Sequence, residues 1–269
     1  MSNKKKFEQP IVDLKTVEEL SNRLLEANRE LKHAEYERRS MIENISHDLR
    51  APLTAIRSTV DYLTLKNRSD VEDITDEDLS TFLKLLDMRT RTLEVLVQDL
   101  YYLTCIESGS EKFKFKKVPI AQFLEEYYFA AEIDEKYADY ELVLDVPEDM
   151  KEVVAIDIAK LSRVLDNLFN NSRKYSVVGC TITLGVYQVD KDICIYVKDN
   201  GQGISEKAIP HIFDRTYRES DSRTPEEETS SGLGLSIVKS IVEQHKGKVE
   251  CKSKLGEGST IFIYLPKIG

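Results

Sequence analysis

The stretch Asn44-Ile45-Ser46-His47-Asp48-Leu49-Arg50-Ala51-Pro52-Leu53-Thr54 sets an imidazole beside a carboxylate, with a proline close behind. Histidine titrates near neutral pH, so one ring nitrogen of His47 is available as a nucleophile while Asp48 holds or accepts the proton on the other. That pairing is a phosphoryl acceptor in outline. Pro52 lacks an N–H and crowds the carbonyl of Asp48, so the helix carrying the pair is expected to bend there. An isolated His-Asp pair is more often ordinary helix surface, and the downstream half of the chain is what gives this one weight.

Four groupings in the second half have chemical meaning. In Asn167-Leu168-Phe169-Asn170-Asn171-Ser172-Arg173-Lys174-Tyr175, Asn167 and Asn171 project from one helix face with Lys174 three residues further on. Amide oxygens are hard ligands suited to magnesium, and a lysine ammonium suits phosphate. Asp199-Asn200-Gly201-Gln202-Gly203 follows an apolar alternation; its carboxylate can accept from an exocyclic amine such as adenine's, and its glycines permit close backbone approach. Gly232-Leu233-Gly234-Leu235 is a glycine-rich turn opening a helix, which presents backbone N–H groups to phosphate. Between these lie Arg215 and Arg218, both able to reach phosphate, and the polar run Asp221 to Ser231, which reads as a lid. Each string alone has a bland reading: a solvated helix face, a turn, or a charged surface.

Two long helices must carry the first motif. Apolar residues recur at helical spacing from about Leu14 through Val17, Leu20, Leu24, Leu31 and Ile45, and onward through Ile56, Val60 and Leu63. Asn67-Arg68-Ser69-Asp70 interrupts the pattern, and a second helix starts at Thr75 or Asp76 and ends at Ser108-Gly109-Ser110. A hairpin of two such helices cannot bury both stripes alone, so a homodimeric four-helix bundle is expected. The expected division is a leader at 1–13, a signalling or coiled-coil helix at 14–40, the hairpin at 41–108 and a catalytic region at 111–269. In that last region the spacing predicts strands at Lys112–Val118, Glu141–Val146, Val153–Ile156, Thr181–Val189, Ile193–Lys198, Lys248–Ser253 and Ser259–Leu265. It predicts helices at Pro119–Ala138, Ile158–Tyr175 and Leu235–His245. This is an α+β sandwich with helices on one face of a mixed sheet.

The net charge of -10 over 269 residues argues against nucleic acid as a partner. No run approaches the roughly 20 apolar residues of a membrane span, and the N-terminus lacks a signal-peptide core, so the chain is expected to be cytoplasmic with no membrane contact of its own. Cys105, Cys180, Cys194 and Cys251 are scattered and read as ordinary thiols.

In this order, the histidine box, asparagine box, DxGxG, phenylalanine box at Phe213, GLGL and the terminal glycine pair Gly256 and Gly258 closely resemble the bacterial sensor histidine kinases of two-component systems. The resemblance covers nearly the whole chain from about residue 14. It implies a dimerisation and histidine-phosphotransfer domain followed by a Bergerat-type ATP-binding domain, with ATP and Mg2+ as cofactors and a response regulator as partner. By match to the family motifs, His47 would be phosphorylated and Asp48 would orient or deprotonate it. Asn171, assisted by Asn167, would bind magnesium. Lys174 and Arg218 would contact the phosphates, Tyr175 would lie against the nucleotide, and Asp199 would recognise adenine. Gly201, Gly203, Gly232, Leu233, Gly234 and Leu235 would form the walls around it.

Three departures bear on these expectations. Ala51 stands where families with this box often carry the Thr or Asn that positions a hydrolytic water, so phosphatase activity toward the regulator is expected to be weak or absent; robust turnover in a dephosphorylation assay would sink that expectation. Thr216 replaces the second aromatic of the phenylalanine box, with Tyr217 beside it, and Ser230-Ser231 precede GLGL where glycine is common. Two other classes compete: an ATP-binding scaffold without phosphotransfer, and a conformational ATPase of the Hsp90 and MutL kind, which has no need of a histidine-bearing hairpin. The chain is either the cytosolic core of a membrane sensor or a membrane-free kinase driven by a partner through residues 14–40.

Overall fold

The computed structural model describes residues 14–66, 75–214, 217 and 232–268. The chain divides into two compact units between His47 and Asp48. The leader 1–13, the interrupting stretch at 67–70, Arg215, Thr216, Arg218 and the whole lid run to Ser231 lie outside the described residues.

Helix α1 spans Leu14–Lys66 and runs through Pro52 without a break in its assignment. Because residue 52 has no N–H, the carbonyl of Asp48 loses its helical donor at that point. In the first unit, Leu20, Leu24, Leu25, Leu31, Tyr36 and Ile42 are all exposed. In the second, α1 meets α2 (Asp76–Glu107), with the rings of Tyr62 and Phe82 5.3 Å apart. Thr75 caps α2 in a capping box: its hydroxyl accepts from the Asp78 N–H at 3.1 Å while the Asp78 carboxylate accepts from the Thr75 N–H at 3.3 Å. Gly109, at φ +68, turns the chain just beyond the helix end.

Downstream lie β1 (Lys116–Pro119), α3 (Ile120–Glu132), β2 (Glu141–Asp145), β3 (Val153–Ile156), α4 (Ile158–Lys174), β4 (Thr181–Val189), β5 (Asp192–Asp199), α5 (Gly234–Gln244), β6 (Lys248–Lys254) and β7 (Gly258–Pro266). The main sheet has the order β2-β4-β5-β7-β6, with β2 and β4 parallel and every other pair antiparallel; β1 and β3 form a separate antiparallel pair. This mixed sheet under helices is the α+β sandwich expected from the sequence.

Two elements differ from the sequence reading. The strand expected over Lys112–Val118 begins only at Lys116, because Phe113 and Phe115 stack on each other at 5.8 Å and close over the buried ring of His245 instead of pairing in a sheet. The helix expected to reach Ala138 stops at Glu132, and a 3-10 turn follows at Glu135–Tyr137, capped by the Asp134 carboxylate.

The core lies between the helices and one face of the sheet. Period-two alternation turns Ile182, Leu184 and Val186 of β4, Ile193, Ile195 and Val197 of β5, and Ile261, Ile263 and Leu265 of β7 to the same side, all buried. Helix α4 answers with Leu161, Val164, Leu165, Leu168 and Phe169, at helical spacing along one face. The Phe169 ring is boxed edge-on by Tyr127 at 5.2 Å and Tyr137 at 5.7 Å.

Candidate functional site

The inward-facing row of β5 runs Ile193, Ile195, Val197 and then Asp199, so the strand's period places a carboxylate where the next core residue would sit. Asp199 is 7% exposed, and each of its oxygens accepts two hydrogen bonds. Oδ1 accepts from the backbone N–H of Gly201 at 3.0 Å and of Ser259 at 3.2 Å; Oδ2 accepts from the hydroxyls of Ser172 at 3.3 Å and Ser259 at 2.5 Å. Four donors from three elements hold an anion that burial alone would disfavour.

This carboxylate opens onto a cavity of about 590 Å³. Asn167, Asn171, Lys174 and Tyr175 of the α4 segment line it, as do Gly203 after β5 and Gly232, Gly234 and Leu235 at the start of α5. The two amides share the α4 face that the core leaves uncovered. The Asn167 side-chain N–H donates to the carbonyl of Arg163 at 2.9 Å, which turns its Oδ1 toward α5. There a Cβ on Gly234 would stand 2.9 Å from that oxygen, so only glycine leaves the gap between α4 and α5 open. Gly203 adopts φ +70, and a Cβ there would meet the Lys254 carbonyl at 2.1 Å. Tyr217 also lines the cavity, its ring 5.6 Å from that of His211.

Other candidates lie elsewhere. Leu233 is 2% exposed and buried in the core cluster, outside the cavity lining. Gly201 flanks the cavity without lining it: a Cβ there would strike the Ser176 hydroxyl at 2.4 Å and the Tyr175 carbonyl at 2.6 Å, so its role is to let the backbone reach Asp199. Arg218 lies outside the described residues. His47 is an exposed residue of α1 and Asp48 is half-buried, next to it on the same helix.

Sequence reasoning missed two sets of residues. Ser172 and Ser259 hold Asp199, and their signal was faint: a small polar residue on the buried face of α4, and one beside the glycine that opens β7. The second set comes from α2, which contributes Met88, Arg89, Thr92, Leu96 and Asp99 to the cavity wall. Helix α2 is fastened to α4 by the ion pair of Asp99 with Arg163 at 2.7 Å, the Arg163 guanidinium over the Tyr102 ring at 3.8 Å, and Lys160 over the same ring at 4.6 Å. Nothing in the local pattern of α2 reveals this contact, which depends on the tertiary fold.

Cys194 and Cys251 are poorly placed to react as thiolates. Burial, together with the negative charge of Asp199, pushes the Cys251 thiol up to about 12, and burial raises Cys194 as well. Among the described residues no helix is long and apolar enough to cross a membrane.

Residues 37–109 match the family model of the His Kinase A (phospho-acceptor) domain, and residues 156–268 match that of the histidine kinase-, DNA gyrase B-, and HSP90-like ATPase. The chain is 33% identical over 254 residues to the sensor protein KdpD of Clostridium acetobutylicum, a match covering 92% of this chain and 27% of that protein. It is 34% identical over 232 residues to the sensor histidine kinase WalK of Bacillus subtilis, covering 86% of this chain and 37% of that one. It thus spans well under half the length of these two relatives. Among solved structures, the histidine kinase AdeS of Acinetobacter baumannii superposes with a TM-score of 0.60 at 20% identity, over 83% of this chain and 98% of that one. Histidine kinase ThkA, crystallised in complex with the response regulator protein TrrA, gives 0.63 at 19% identity, over 97% of this chain and 68% of that one. At such identities the likeness is one of fold. The two domain matches and the curated relatives are what show that this chain belongs to the two-component sensor histidine kinases.

Proposed function

We propose that the chain is the kinase core of a two-component sensor: it binds ATP, transfers the γ-phosphate to His47, and passes that phosphate to an aspartate of a response regulator. The observation that carries this reading is the convergence of Asp199, the α4 amides, Lys174 and the glycine turn of α5 on one cavity. Asp199 accepts from the exocyclic amine of adenine, Tyr175 lies against the nucleotide, and Lys174 reaches the phosphates, helped by Arg218. Magnesium fits the donors: carboxamide oxygens of Asn171 and Asn167 are hard ligands, and among the described residues no group of three His, Cys, Asp or Glu could hold a metal by itself. When bound, the ion offsets charge on the triphosphate.

Transfer is chiefly a matter of positioning and electrostatics. A neutral ring nitrogen of His47, taken as Nε2, attacks the γ-phosphorus in line; the bond to the bridging oxygen breaks and ADP leaves. Asp48 orients the imidazole or takes the proton from its other nitrogen. Phosphohistidine then yields its phosphoryl group to the regulator's carboxylate, regenerating His47. In this reading the coiled-coil input helix is 14–40, the hairpin 41–108 and the ATP-binding domain 111–269. The exposed apolar residues of the hairpin helices, among them Leu53, Leu83 and Val97, support a homodimer through the hairpin; a location in the cytoplasm is part of the same proposal.

The test is incubation with magnesium and γ-labelled ATP, comparing the protein with His47→Gln and then adding a receiver domain. Label that requires His47 and moves to the receiver is expected. Nucleotide binding without any label would favour the scaffold.

A further inference from the structure

Helix α2 turns the stripe Arg89, Thr92, Leu96 and Asp99 toward the cavity, at spacings of three, four and three residues. Asp99 is satisfied by Arg163. Arg89 stands ten residues earlier, about 15 Å along the helix at 1.5 Å per residue. Its Nε is buried and, among the described residues, has no hydrogen-bond acceptor. Arg91 also lines the cavity, but its guanidinium is bound to Asp87 at 2.7 Å and largely exposed. An arginine N–H buried without an acceptor is costly and calls for an explanation, and at the wall of a cavity a bound anion supplies one.

We propose that Arg89 is a phosphate-binding residue for the nucleoside triphosphate held in this cavity; the inference rests on the nucleotide reading above and extends it to the hairpin. The guanidinium is a planar fork of donors that matches phosphate oxygens in pairs and stays charged at any physiological pH. The carboxylate of Asp199 repels phosphate from its own end of the cavity, so the anionic part of the ligand lies among the cationic side chains. Lys174 supplies one such group from α4, and Arg89 supplies one from α2. Because α2 belongs to the histidine-bearing hairpin, a triphosphate bound this way bridges the hairpin and the ATP-binding domain. Adenosine, lacking phosphates, does not.

Equilibrium binding of Mg-ATP and of adenosine to the full chain tests this with Arg89→Met, Arg89→Lys and the unaltered protein. Loss of a hydrogen bond to a charged group corresponds to a loss of about 10-fold or more in affinity. Arg89→Met is expected to weaken Mg-ATP by that factor and leave adenosine unchanged, with Arg89→Lys recovering part of the loss. Unchanged Mg-ATP affinity in Arg89→Met, while adenosine and ATP both bind the unaltered protein, overturns this inference and leaves the nucleotide reading standing. Equal weakening of adenosine and ATP also overturns it, by assigning Arg89 a merely structural part. If neither ligand binds the unaltered protein, the nucleotide reading fails first and this inference with it.

Discussion

Asp199 separates two contributions that one substitution usually confounds, because its two oxygens face different kinds of donor. Oδ1 is held by the backbone N–H groups of Gly201 and Ser259, which cannot reverse their polarity; Oδ2 is held by the hydroxyls of Ser172 and Ser259, which can rotate to accept. Asp199→Asn therefore keeps an oxygen for the two amides and turns its NH2 toward two hydroxyls able to receive it. The cost to the fold is the difference between charged and neutral hydrogen bonds, about 1 kcal/mol per bond, offset because a neutral amide is less costly to bury than a carboxylate. Asp199→Ala leaves both backbone donors buried without acceptors, at about 1–3 kcal/mol each, so about 2–6 kcal/mol in all. Binding should order differently. Asp199→Asn presents a donor where the exocyclic amine needs an acceptor, and is expected to lose about 100-fold or more in ATP affinity, on the scale set by leaving buried polar groups mismatched. Urea unfolding gives the first quantity and calorimetric titration with ATP the second. If Asp199→Ala unfolds no more readily than Asp199→Asn, the hydrogen-bond reasoning is wrong; if Asp199→Asn binds ATP normally, the carboxylate does not read the base.

Phe169→Ala removes a fully buried ring from between Tyr127 and Tyr137 and should cost about 3–5 kcal/mol, read as a lower urea midpoint with an unchanged slope. The pH dependence of stability should carry the mark of His245. This ring is 3% exposed, accepts the Asp157 N–H on Nε2 at 3.0 Å and donates from Nδ1 to the Ile241 carbonyl at 2.8 Å, so both nitrogens are committed in the neutral form. Burial holds its pKa below the ordinary value, only partly offset by the Ile241 carbonyl and the Asp157 charge. A lowered folded-state pKa means that its contribution is complete above the unfolded value of about 6.5 and is lost as pH falls below that toward the folded value. Unfolding titrations from about pH 8 to about pH 5 should show this decline, and His245→Gln should flatten it. A profile equally steep in the variant would place the proton uptake elsewhere.

Much of this fold is legible because its periods are clean. The inward rows of β4, β5 and β7 keep a period of two through the core, and Asp157 announces the start of α4 by capping it through the Lys160 N–H at 3.2 Å. Legibility fails where tertiary contact overrides local pattern. Phe113 and Phe115 alternate like a strand, yet their rings stack over His245, and the apolar residues beyond Glu132 continue a helical period that Asp134 ends by capping a new turn. At the site, Asn167, Asn171, Asp199 and the glycines stand out only together, because each string alone reads as a solvated helix face or a turn while their order along the chain does not. Ser172 and Ser259 do not, since a serine's purpose is set by what lies across from it. Arg89 was hidden for the same reason: one more arginine on a charged helix, until the fold sets it in the cavity wall.

Phosphotransfer to His47 is most directly tested by locating the label. After incubation with magnesium and γ-labelled ATP, tryptic digestion at alkaline pH isolates Ser40–Arg50, which holds His47 and no other histidine. The expected result is label on this peptide that survives base, is lost in acid, and is absent from His47→Gln. Label on any other peptide, or none at all from a protein that binds ATP, would contradict it.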